Sequence, residues 1–136
     1  MKNELLYLVW YTDAMAYSTS GIKRLEKHSV FDIYKADKET LLNMGFSEKQ
    51  SERLSFKGLE RAMQTLRFCE AKSCHAVPYY DIDYPEAFRR LPDAPTVIYV
   101  MGSPDILNSE SCAALVGTRS STYEGERLAE IGRAHV

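Results

Sequence analysis

The sequence is poor in several things that would each have announced a function. It holds only three cysteines, Cys69, Cys74 and Cys112, and no CxxC pair. An odd, unpaired set leaves neither a disulfide framework nor a cysteine zinc site to expect, and it points to a reducing, cytoplasmic setting. Long apolar runs are missing too. The best is LLYLVWY (5–11), with Glu4 and Asp13 at its edges, far short of the ~20 residues of a membrane span. No small-residue cleavage site follows it, so it reads as core rather than signal peptide. A basic excess is also absent: the 136 residues carry a net charge of −2 and the pI is about 5.9. No global attraction to nucleic acid is advertised. The charge is uneven, with 12 Lys and Arg against 10 Asp and Glu in residues 1–75, and 5 against 9 in residues 76–136.

Two phosphate-loop fingerprints are missing as well. Around Gly117 the G-x-G-x-x-G pattern fails, because Arg119 stands where the second glycine would let backbone approach a pyrophosphate. That disfavours NAD or FAD. No GK[ST] follows the glycine, which removes the Walker A loop. No cofactor and no metal are expected. Cys74 and His75 adjoin in sequence, but adjacency does not supply the geometry of a thiol–imidazole pair, and the thiols read as buried or tolerated.

What is present divides into two parts. Residues 1–75 read as short helices by periodicity. Leu5, Leu6, Val9, Trp10 and Met15 share a face of the first. Ser20 is placed to cap GIKRLEKH, and Phe31, Ile33 and Tyr34 form another apolar cluster. Asp37 caps KETLLNMG, and Gly45 fits the position that ends that helix. Ser47-Glu-Lys-Gln50 has capping-box form, and a long helix is predicted through FKGLERAMQTLRFCEAK with Leu59, Met63, Leu66 and Glu70 at helical spacing. Two helices joined by a glycine turn over 40–54 also have the form of a helix-hairpin-helix, whose turn amides can hold a DNA phosphate. The same pattern suits a C-capped helix in a small helical bundle.

Character changes near residue 75. HAVPYY is strand-like, and DIDYPEAFRRLPDAP is rich in acids and prolines. Pro85 biases Tyr84 to extended geometry and opens a short helix. TVIYVM (96–101), closed by Gly102, and CAALV (112–116) read as buried strands. SPDIL between them reads as a short turn or helix. The second strand runs into Gly117-Thr118-Arg119-Ser120-Ser121-Thr122 and then a helix. Strand, glycine turn and helix start put backbone N–H groups before an anion, and arginine offers a bidentate fork to phosphate oxygens. Ser121 and Glu124 have capping-box spacing, which predicts a helix from Thr122.

Taken in order, Tyr84, Pro85, Phe88, Leu91, Asp93, Pro95, Val97, Ile98, Tyr99 and Gly102, followed by Ala114, Val116, Gly117, Thr118, Arg119, Thr122 and Gly125, resemble the DNA-processing protein DprA (Smf) family. LLYLVWY, GIKRLEKH and TLLNMG resemble that family's helical N-terminal domain. The resemblance implies a cytoplasmic, non-catalytic, homodimeric protein. Such a protein binds and protects single-stranded DNA in natural transformation and helps load the RecA recombinase. It implies an α/β fold: a small all-helical domain of the sterile-alpha-motif or helix-hairpin-helix class over 1–75, then the start of an extended Rossmann-like DNA-binding domain over 76–130. By the same resemblance Arg119 contacts DNA phosphate, with Gly117, Thr118, Ser120 and Ser121 shaping the turn. The family's later SG-x-A-x-G-[IV]-D block is not in the chain. Residues 131–136, IGRAHV, translate a run that looks like a sequencing-library adapter and are expected to be a non-native tail. Two other readings stay open: a Rossmann-like nucleotide hydrolase or phosphoribohydrolase, and a stand-alone helical interaction module. With a parallel sheet uncovered on its faces, the chain from about residue 96 is expected to pack poorly.

Overall fold

A computed structural model describes residues 2–16, 21–109 and 118–134. Helix α1 (Lys2–Met15) lies at the centre and packs on α3 (Val30–Lys35), α5 (Glu48–Ser55), α6 (Glu60–Ala71) and the second strand. Its buried residues are Leu8, Val9, Trp10, Tyr11 and Met15. Four of them are consecutive, so α1 is covered on most sides rather than along one stripe. Leu5 and Leu6, expected on the core face, are only half-buried.

Local chemistry explains the short helices. Ser29 caps α3 and Asp37 caps α4 (Lys38–Asn43), the latter accepting from the Thr40 amide at 2.8 Å. Hydrogen bonding from the Thr40 side chain, followed by that from its amide, holds the Asp37 carboxyl below its ordinary pKa. Helix α4 ends in a double wrap: the Gly45 amide donates to Leu42 O and the Phe46 amide to Leu41 O. Gly45 has φ +93, the left-handed geometry this wrap needs, and it seats Phe46 over Leu41 in the core. Ser47 and Gln50 then close a full capping box on α5. Ser20, expected to cap α2 (Gly21–Leu25), lies outside the described residues.

The long predicted helix starts late. Residues 56–59 are not helical, and α6 begins at Glu60. Their carbonyls are taken by side chains from distant helices: Trp10 Nε1 donates to Phe56 O at 3.0 Å, and the Tyr34 hydroxyl to Lys57 O at 2.7 Å. The Lys57 ammonium sits over both the Trp10 and Tyr34 rings and donates to Ile33 O. Within α6 the buried positions are Ala62 and Cys69; Leu66, and Leu59 just before the helix, are half-buried against the core. Met63 and Glu70 are exposed.

After Ser73, at φ +51, the chain enters strand β1 (Cys74–Pro78). It pairs antiparallel with β2 (Val97–Met101), Cys74 opposite Met101 and Pro78 opposite Val97. The two strands rest on α6 and α1, and Val97 belongs to the same core cluster as the helices. Residue 75, after which the sequence predicts a change of domain, lies within β1. The expectation of a buried strand at 96–101 is corrected: Val97 is buried, but Tyr99 and Met101, which share its face of the strand, are exposed, because the covering of that face by the helices ends near Val97. Past Val97 no described residue is buried. The strand expected at 112–116 lies outside the described residues. The architecture is mixed, mostly helical with a small antiparallel sheet.

The connection between the strands is stapled by side chains. Tyr84, fully buried, donates to Pro95 O. Arg89, in helix α7 (Glu86–Arg89), donates to Tyr79 O and Asp81 O and pairs with Glu86 at 2.9 Å. Asn108, at the end of a 3-10 turn (Pro104–Asn108), accepts from the Glu86 amide at 2.8 Å and donates to Ile82 O and Tyr84 O.

Candidate nucleic-acid interface

The turn singled out in the sequence leads into α8 (Tyr123–Ala134). Gly117 lies outside the described residues; Thr118, Arg119, Ser120 and Ser121 are all exposed. The cap differs from the sequence expectation by one residue. Thr122 Oγ1 accepts from the Gly125 amide at 3.1 Å and Thr122 O accepts from the Glu126 amide, so Thr122 is the N-cap and the helix opens at Tyr123. Ser121 is freed from capping and donates instead to Glu126 Oε1 at 2.7 Å. A Cβ on Gly125 would sit 3.2 Å from Thr122 Oγ1, a tight contact against the capping hydroxyl.

This geometry sorts the expected phosphate contacts. The Thr118 hydroxyl donates to Ser120 O at 2.9 Å and the Ser121 hydroxyl serves Glu126. Both are already occupied. Arg119 and the Ser120 hydroxyl make no bond to any described residue, so their donors face solvent. Glu124 and Glu126 stand in the first turn of α8. They complement the helix dipole and at the same time weaken its pull on an anion. Arg119 is therefore the one strong anion-binding group the turn presents among the described residues. The structure does not gather the four hydroxyls and the guanidinium into one pocket.

Two clefts lie elsewhere. The larger, about 950 Å³, runs between α1, α6 and the start of β2. On its wall Arg61 pairs with Asp13 at 3.3 Å, so its charges are balanced locally. The smaller, about 400 Å³, lies between α2 and the end of the α7 segment and gathers Lys23, Arg24, Lys27 and Arg89. Sequence reasoning treated GIKRLEKH as a helix only. Three cations at 23, 24 and 27 were the signal available, but the fourth comes from a distant part of the chain.

Cys69 and Cys74 are free thiols. Burial, followed by the hydrogen bond its S–H donates to Cys74, pushes the Cys69 thiol above its ordinary pKa, which works against a reactive thiolate. Cys74 and His75 are successive strand residues and so point to opposite faces. Among the described residues there is no cluster of potential metal ligands, and no helix is long and apolar enough to cross a membrane.

No curated protein and no solved structure matches the chain. Residues 75–135, which hold β2, all of β1 but its first residue, the α7 staple and Arg119, match the family model described as DNA recombination-mediator protein A.

Proposed function

We propose that the protein is a non-catalytic, single-stranded DNA-binding member of the recombination-mediator family, active in DNA uptake and recombination in the cytoplasm. Arg119 is its phosphate contact. In this reading the 76–130 segment opens an extended Rossmann-like domain, the protein acts as a homodimer, and it hands its DNA to the RecA recombinase. The observation that carries the reading is the family match over 75–135, which includes a solvent-facing arginine at a helix start. A free guanidinium there can fork two phosphate oxygens without leaving another partner.

The test is Arg119→Ala, followed by titration of a labelled oligothymidylate at several salt concentrations. Loss of one phosphate contact on a single strand lowers the slope of log K against log salt by about 0.7. Affinity should fall similarly for any base sequence, because phosphate contacts carry no sequence information. Unchanged affinity and slope would remove Arg119 from the interface.

A further inference from the structure

We infer that the groove between α2 and α7 is a second contact for the phosphate backbone of single-stranded DNA, distinct from the Arg119 turn; the inference rests on the DNA-binding reading above. The groove places Lys23, Arg24, Lys27 and Arg89 around one carboxylate, Glu26, in a chain whose overall charge is −2. Such a local concentration of positive charge is the electrostatic footprint of a polyanion site.

The four cations differ in how they are held. Arg89 is fixed by the carbonyls of Tyr79 and Asp81 and by Glu86. Arg24 donates to Gly45 O and lies over the Phe46 ring, with its Nε buried and unpartnered. Lys23 and Lys27 are exposed, four residues apart, and neither is ion-paired among the described residues. Two rigid guanidinium groups therefore form the wall and two mobile ammonium groups stand at the mouth. That suits a backbone whose phosphates can shift along the groove.

Size suits a nucleic-acid strand: about 400 Å³ takes a phosphate with its sugar. Position agrees. Lys23 comes from α2 and Lys27 from the turn after it, while Arg89 comes from the segment matching the recombination-mediator family, so the groove joins the helical part to the DNA-binding part.

The experiment compares the full chain with Lys23→Ala/Lys27→Ala and, separately, with Arg119→Ala. Binding to an oligothymidylate of about 30 nucleotides, long enough for two contacts, is measured across salt concentrations, and thermal unfolding checks that each variant folds. The double variant is expected to lower the salt slope by about 1.4, and Arg119→Ala by about 0.7. A normal slope in the double variant beside a reduced one in Arg119→Ala overturns the groove and leaves the proposed function standing. No salt-dependent binding by the unmodified chain overturns both. Binding of poly-glutamate through Lys23 and Lys27 without binding of oligothymidylate assigns the groove to an acidic protein and also overturns the inference.

Discussion

Tyr11 carries more of the structure than its place in an apolar run suggests. It is fully buried, and its hydroxyl donates to Gly21 O at 2.7 Å, tying α1 to the start of α2. Burial pushes its phenol well above the ordinary value of 10.0, and the Arg24 guanidinium only partly offsets this. A raised folded pKa means the protonated form is the one the fold favours. The stability it contributes is complete below pH 10 and is lost as pH rises through the folded value. Tyr11→Phe removes the hydrogen bond and strands the Gly21 carbonyl, at a cost of about 1 kcal/mol near neutral pH. Thermal unfolding at a series of pH values should show that gap narrowing above about pH 10, where only the wild type has a phenol at position 11 to ionise. A gap that stayed constant would mean Tyr11 is not the group responsible.

Among the elements, the α4–α5 turn is the most fully specified. Its double wrap needs Gly45 at φ +93, and a Cβ there would stand 2.8 Å from Arg24 Nη1. Gly45→Ala therefore strains the backbone and also displaces the guanidinium from Gly45 O. Gly102→Ala isolates the first effect, since Gly102 has φ +109 and nothing within 4 Å of a Cβ. The expected losses are about 1 kcal/mol for Gly102→Ala and about 2 for Gly45→Ala, read from denaturant midpoints. Equal losses would show that Arg24 relaxes freely. This turn was legible in the sequence because Asp37, Gly45, Ser47 and Gln50 act on amides within three residues of themselves or on their own backbone. The start of α6 was not. Trp10 reaches Phe56 O across 46 positions of sequence, and no local pattern in FKGL announces that its carbonyls are already taken.

At the scale of the whole molecule, the strand pair and the helices share one core. Val97 is the joint, buried with Val9, Trp10 and Met15 in the same cluster. Val97→Ala should lower the unfolding free energy by about 2 kcal/mol. If the core is shared, hydrogen exchange will show the loss in α1 amides as well as in β1 and β2. A loss confined to the strands would mean that the helices fold as a unit of their own. The same packing explains the contrast along the chain. Up to Val97 the segment borrows the helical core, and beyond it no described residue is buried. The exposed Tyr99, Met101, Leu128 and Ile131 follow from that.

By itself the sequence determined what depends on near neighbours: the caps of α4 and α5, the glycine wrap, and the segments that form β1 and β2. These are contests between a side chain and backbone groups a few residues away, and residue type with spacing decides them. Tertiary structure alone decided the antiparallel pairing of β1 with β2 and the late start of α6. It also decided which cations meet. Lys23, Lys27 and Arg89 are ordinary surface residues along the chain, and they become one groove only because α2 and α7 fold against each other. Charge acts through space, so a site of this kind exists only in the folded arrangement.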